Sequence, residues 1–99
     1  AVTVCDDRGR ILLTNRACDE LFGYAPGELA GRHVRVLNAY DDARAAVLLE
    51  ELRAHAARGE RWVGELVNVR RDGSRFTTRA VAAPAEIHGE RWWVLTRTD

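Results

Sequence analysis

The chain contains no methionine and no lysine, only two cysteines and two prolines, and carries no net charge. Each absence narrows the class. With 15 basic residues against 15 acidic ones, there is no bulk electrostatic case for nucleic acid or for an anionic membrane surface as partner. No apolar run approaches ~18 residues and no export signal is legible, so direct membrane contact is not expected and a cytoplasmic location is. Every basic residue is arginine. Together with abundant alanine this fits GC-rich codon usage better than a dense set of bidentate ion pairs, because solvated pairs contribute little. Cys5 and Cys18 form neither a CxxC nor a Cys/His ligand set, so both are expected as reduced, half-buried thiols. At 99 residues, residues 1–99 are expected to be a single domain burying about two-thirds of its unfolded surface. Without an initiator, and starting inside a strand-like run, it is expected to be excised from a longer protein.

The stretch Trp62 to Ala83 organises what is present. Two runs of strand-like period, Trp62 to Val69 and Phe76 to Ala83, flank Arg71-Asp72-Gly73-Ser74, and Asp-Gly between such runs signals a hairpin. Residues two apart share a face. One face therefore carries Trp62, Gly64, Leu66, Asn68, Phe76, Thr78, Ala80 and Ala82, and is assigned to the interior. The other carries Val63, Glu65, Val67, Val69, Thr77, Arg79, Val81 and Ala83.

Upstream, Ala1 to Cys5 and Arg10 to Thr14 read as a first hairpin around Asp6-Asp7-Arg8-Gly9, with Ile11 and Leu13 on one face. Asn15 is placed to cap a short helix ending at Gly23. Pro26 to Leu29 suggests another short helical piece closed by Gly31, and Arg32 to Asn38 a helical turn or extended connection. From Asp41 or Asp42 to Arg58 strong helix formers dominate, with Val47, Leu48 and Leu52 as the stripe and Ala45 and Ala56 beside it. Pro84 to Gly89 reads as a loop, and Glu90 to Thr98 as a fifth strand with Trp93, Leu95 and Arg97 on one face. The expected fold is α+β: a five-stranded antiparallel sheet with short helices and one long helix on one face.

In that order, Asp6-Asp7-Arg8-Gly9-Arg10-Ile11, Asn15-Arg16-Ala17, Glu20-Leu21-Phe22-Gly23-Tyr24, Glu28-Leu29-Ala30-Gly31, Gly59-Glu60-Arg61-Trp62, Gly64-Glu65 and Arg70-Arg71-Asp72-Gly73-Ser74 together resemble the PAS sensory domain family over essentially the whole chain. The resemblance implies a sensory or interaction module of a bacterial signalling protein, without catalysis of its own. It also implies that the chain stops near Thr98-Asp99, where such domains hand over to a C-terminal signalling helix.

Gly31 to Asn38 is similar to the flavin-binding signature of the LOV subgroup, which makes flavin the leading cofactor candidate. By that likeness Val34 stands where those photoreceptors carry the reactive cysteine, and a branched alkane supplies no thiolate, so adduct photochemistry is excluded. The resemblance also places Arg35 and Arg53 as phosphate contacts, Asn38 in place of a Gln, Asn68 and Thr78 at two pocket amides, and Arg97 at the position of the flavin-sensing Gln. The expected ligand pocket is Leu37, Asn38, Trp62, Leu66, Asn68, Thr78, Ala80 and Arg97. An amide at Asn68 left unpaired inside would cost ~1–3 kcal/mol, so it needs a ligand, a backbone group or a water. Arg35 and Arg53 are read alternatively as solvated ion pairs, Arg53 with Glu50. Haem is not expected from His33, His55 or His88. The outer face, Val63, Val67, Val69, Val81, Trp92 and Val94, is the expected interaction surface, serving a homodimer partner or a flanking helix. Ligand sensing, flavin redox sensing and ligand-free dimerisation all remain open at this stage.

Overall fold

The computed structural model describes residues 1–98; Asp99, and with it the expected handover to a helix, lies outside them. The elements are β1 (Val2–Asp6), β2 (Ile11–Thr14), α1 (Arg16–Phe22), a 3-10 turn (Val34–Leu37), α2 (Asp42–Ala57), β3 (Trp62–Val69), β4 (Arg75–Ile87) and β5 (Glu90–Thr98). All neighbours in the sheet are antiparallel, in the order β2-β1-β5-β4-β3, so the chain's two ends lie side by side at its centre.

The β3–β4 hairpin has the faces expected of it. Trp62, Leu66, Asn68, Thr78, Ala80 and Ala82 are buried, and Val63, Glu65, Val67, Thr77 and Arg79 are exposed. The register pairs Trp62 with Ala82, Leu66 with Thr78 and Asn68 with Phe76. Asp72 turns back to accept from the Ser74 N–H at 2.9 Å, and Gly73 supplies the positive φ of 90° that the turn needs.

Four local readings differ from the structure. Ile11 and Leu13 do not share a face: Cys5 pairs with Ile11 but Val4 with Leu13, a bulge that leaves Ile11 buried and Leu13 51% exposed. Pro26 to Leu29 is a turn, not a helix; Glu28 Oε1 accepts the Ala25 N–H at 2.9 Å, holding the chain in a tight loop that buries Leu29. Pro84 does not break β4, which runs on to Ile87 against β5. The β3 ladder ends at Trp62–Ala82, so at Pro84 the strand has one neighbour, and a missing N–H is tolerated on the open side. Finally, α2 has no buried residue at all. Its stripe is Leu48, Leu52 and Ala56, half-buried, while Val47 is 53% exposed.

Two apolar clusters fill the layer between sheet and helices. One gathers Ile11, Cys18, Phe22, Leu29 and Leu37 around α1, with the Phe22 and Phe76 rings 5.2 Å apart. The other gathers Cys5, Trp62, Leu66, Ala80, Ala82, Trp93 and Leu95 on the sheet beneath α2. Cys5 and Cys18 are both free thiols and both buried. Asn15 caps α1, its Oδ1 accepting from the Cys18 N–H and also from the Val2 N–H, both at 2.9 Å. That one amide fixes the helix start against the sheet.

Candidate ligand cavity

Because α2 stands off the sheet, a cavity of about 290 Å³ lies between them. Its floor is Cys5, Trp62, Leu66, Ala82, Trp93 and Leu95, and its roof is Leu48, Leu49, Leu52 and the alanines Ala45 and Ala46. The rim is polar: Asp6, Asp7, Arg8, His33, Arg35, Asn38 and Asp42. Such a space, apolar within and with a few polar groups at one end, suits a small organic molecule. It is about twice the ~150 Å³ of a cavity that accepts one benzene.

Few tethers hold the roof. Trp62 donates its indole N–H to Glu51 Oε2 at 3.3 Å, and Arg53 reaches the Asp7 carbonyl at 3.5 Å. Trp62 is itself folded over Gly64, where an added Cβ would stand 2.7 Å from Trp62 Cζ2. Gly64→Ala must therefore push the indole toward the cavity. A cost of about 1–3 kcal/mol is expected from overpacking, with a shifted tryptophan emission spectrum as the readout; unchanged emission and urea midpoint would mean the ring has room to move elsewhere.

The rim is stapled by His33, whose Nε2 lies 2.9 Å from the Arg8 carbonyl and whose Nδ1 accepts the Arg35 N–H at 3.1 Å. With both ring nitrogens engaged by backbone, His33 has none free for a haem iron. His55 Nδ1 is taken by the Glu51 carbonyl at 2.8 Å, and His88 sits exposed in the β4–β5 turn. Among the described residues no cluster of metal-ligating side chains is present.

The residues expected to line a pocket divide. Asn38, Trp62 and Leu66 border the cavity, as does Val34. Leu37, Asn68, Thr78, Ala80 and Arg97 do not: Ala80 packs in the cluster beneath α2 without reaching the cavity, Leu37 packs with Phe22 in the cluster around α1, and Asn68, Thr78 and Arg97 form a buried polar group beside it. There Asn68 Nδ2 donates to Thr78 Oγ1 at 2.8 Å and to the Leu66 carbonyl at 3.1 Å, so this amide has internal partners. Arg97, 1% exposed, donates to Thr3 Oγ1 at 3.1 Å and to Asn38 Oδ1 at 3.4 Å, and its guanidinium lies 5.4 Å from the Phe22 ring centroid. Arg35 borders the cavity and is paired with Asp42, while Arg53 binds the Asp7 carbonyl, not Glu50.

These placements do not fit a flavin. The side chains that would hold its polar ring edge, Asn68, Thr78 and Arg97, lie outside the cavity lining, Asn68 bonded to Thr78 and Arg97 to Thr3, and Arg35, expected at its phosphate, is paired with Asp42. The inward direction of Arg97 follows from strand alternation, but its filling of the space beside Asn68 and Thr78 depends on Thr3 and Phe22 and is not legible in the sequence.

The cavity also holds a thiol. Burial, with Asp6 adding to it, pushes the Cys5 thiol up to about 12, and burial raises Cys18 as well. Both are therefore neutral near pH 7 and poor nucleophiles. Since the folded form binds these protons more tightly than the unfolded chain, stability is full below the unfolded thiol's range and falls as pH rises from about 9 toward 12. Iodoacetamide labelling of the native protein at neutral pH is expected to be far slower than in urea; equal rates would show an exposed thiol.

The outer face carries apolar rows that cross the sheet. Leu13, Val4, Val94 and Ala83 form one, and Val2, Thr96, Val81 and Val63 the next. Trp92 lies between Asp6 and Ala85 at one end. Val67 is cut off from Val63 by the Glu65–Arg79 pair, so the patch extends toward β1 and β2 and not along β3.

A five-stranded antiparallel sheet with its first and last strands side by side, and helices packed on one face over a cavity, define the class of α+β domain. A family model described as "PAS domain" matches residues 1–97, and the chain belongs to the PAS domain family, the sensory modules of signal-transduction proteins. The chain is 37% identical over 86 residues to a blue-light-activated histidine kinase of Rhizobium johnstonii, covering 86% of this chain and 24% of that protein. It thus spans about a quarter of that relative's length. Among solved structures, the PAS domain of a Colwellia psychrerythraea protein superposes with a TM-score of 0.82 at 19% identity, over 99% of this chain and 85% of that one. The light-state dimer of the fungal blue-light photoreceptor Vivid gives 0.76 at 19% identity, over 100% and 76%. No helix among the described residues is long and apolar enough to cross a membrane.

Proposed function

We propose that this PAS domain senses a small organic molecule held between α2 and the sheet, and that occupancy is relayed through the sheet to an effector elsewhere in a longer bacterial, cytoplasmic signalling protein. The observation that carries this reading is the 290 Å³ cavity under a 16-residue helix that buries none of its residues. A helix so weakly packed has a low cost of displacement, so a ligand that binds it in one position shifts its equilibrium by the difference in affinity. Trp62 and Trp93 on the floor would pass the shift to β3 and β5. Among the described residues no nucleophile–base pair lines the cavity, which supports binding without turnover. Val34 supports a sensor that works without a light-driven thiol adduct, whatever the histidine kinase relative does.

The test is a thermal-shift and tryptophan-fluorescence screen of the purified domain against uncharged and charged organic molecules of one to two rings or six to ten carbons. Hits that compete with one another and are lost in Ala46→Trp, which fills the roof, support the reading. A domain whose melting temperature ignores the whole panel does not sense through this cavity.

The outer-face rows support a second role, association with a second copy or with flanking helices. Val81→Arg on that face is expected to leave a monomer where the unaltered protein, with its flanking segments restored, is a dimer by light scattering. A dimer that persists places the contact elsewhere.

A further inference from the structure

Arg97 is a cation sealed inside the protein with no anion beside it among the described residues. It is 1% exposed, its Nε has no partner, and no carboxylate among the described residues lies within ion-pair distance of it. A guanidinium stays protonated at any ordinary pH, and an isolated buried charge is strongly disfavoured. Burial does lower its affinity for the proton, and the same charge is felt by Cys5 on the cavity floor. What surrounds it is neutral: the Thr3 hydroxyl, the Phe22 ring and, on the cavity side, Asn38.

The strand register places it one step from the cavity. Leu95 and Cys5 are floor residues, and Arg97 and Thr3 are the next inward-facing residues on β5 and β1, about 7 Å along each strand. Asn38 touches both spaces, bordering the cavity and contacting Arg97 Nη2 through a long 3.4 Å bond. A second orphan, Asn68 Oδ1, lies on the same buried layer, across the bridge that joins Asn38 to Asn68.

We propose that the cavity takes an amphipathic monocarboxylate, whose carboxylate displaces the Asn38 amide to pair with the Arg97 guanidinium while its apolar body lies among Leu48, Leu52, Trp62 and Trp93. Guanidinium and carboxylate match as two parallel N–H to oxygen bonds, and the unpartnered Nε with one Nη supplies the required fork. Asp6, Asp7 and Asp42 on the rim count against a dianion; Arg8 and Arg35 stand on that rim too and the Ala1 ammonium lies 3.3 Å from the Arg97 carbonyl, but the free fork of Arg97 itself matches a single carboxylate. The inference rests on the reading of the cavity as a ligand site.

Octanoate, octan-1-ol, octylamine and octyl phosphate share one chain and differ in head group. Their affinities for the purified domain, read by calorimetry and tryptophan quenching at neutral pH, separate the two ideas. Octanoate is expected to bind at least about tenfold tighter than octanol, which corresponds to about 1.4 kcal/mol. Arg97→Gln should bring the two within about twofold. Asn38→Asp, which offers the guanidinium an internal carboxylate, should do the same and keeps the test open if R97Q does not fold. Octanol equal to octanoate, or a preference that survives both substitutions, overturns the carboxylate assignment and leaves the cavity reading in place. Octyl phosphate binding tighter than octanoate overturns it in favour of a phosphate. If none of the four binds, the carboxylate assignment falls, and the wider ligand screen decides the cavity reading separately.

Discussion

Arg97→Met is expected to raise the stability of the ligand-free domain, by about 1–4 kcal/mol, the range found when buried ionic groups are exchanged for apolar ones of similar volume. The direction follows from what the guanidinium gains and loses. It gains two hydrogen bonds to neutral oxygens, one of them 3.4 Å long, and a ring contact with Phe22. Against these stands the desolvation of a full charge with an unpartnered Nε. Methionine keeps the stem and its contact with Phe22, a ring that favours sulfur nearby. Thr3 is not orphaned by the change, because its hydroxyl also shares a hydrogen bond with Cys18 Sγ at 3.4 Å. Asn38 is left facing the cavity, where its amide can be hydrated. Since the arginine does not titrate, the gain should be flat from about pH 5 to 9. Urea unfolding at several pH values checks both statements. A lower midpoint for R97M would show that Thr3, Asn38 and Phe22 together hold the cation more favourably than water does.

The same residue shows where sequence reading succeeds and where it stops. That Arg97 faces inward was legible, because β5 alternates and Trp93 and Leu95 share its face. That it closes off the space beside Asn68 and Thr78 was not, since the side chain's path depends on Phe22 and Thr3, which come from distant parts of the chain. The β3–β4 hairpin was readable from Trp62 to Ala83 because period two and an Asp-Gly turn are local signals, but the run of β4 past Pro84 to Ile87 was not. The β1–β2 bulge was not, because a single extra residue, Leu12, reverses the faces of Ile11 and Leu13 and leaves no mark in composition. Helix α2 could be found from its helix formers and the Asp41 cap, whose Oδ1 accepts the Arg44 N–H at 2.8 Å. Its distance from the sheet could not.

A stand-off roof and a buried cation place the cavity's two determinants on different elements: α2 sets its volume, and β5 with Asn38 sets the charge at its inner end. Substitutions on α2 should therefore change which sizes bind, and substitutions at Arg97 or Asn38 which head groups.

The rim gives the second large effect. Gly9→Ala is expected to cost about 2–5 kcal/mol, combining a left-handed backbone that suits glycine with a steric conflict. Gly9 has φ of 86°, and a Cβ there would lie 2.6 Å from His33 Nε2 and 2.8 Å from Cε1. The ring cannot simply turn aside, because Nε2 is bonded to the Arg8 carbonyl and Nδ1 holds the Arg35 N–H at the start of the 3-10 turn. The same two segments are joined by the Val34 N–H to the Gly9 carbonyl at 2.8 Å and by the Arg10–His33 bridge. Moving His33 therefore loosens Arg8, Val34 and Arg35 together, three residues of the cavity rim. His33→Ala separates the two causes. Alone it should cost less than G9A, removing two side-chain bonds near the surface. In the double variant the steric part of the G9A cost should vanish and the backbone part remain, so the two substitutions should be less than additive by at least about 1 kcal/mol. Strict additivity in urea unfolding would mean that the ring moves freely and that strain at Gly9 is all backbone. In that case the rim would not be a single coupled unit, and ligand entry would not depend on how Gly9 and His33 pack.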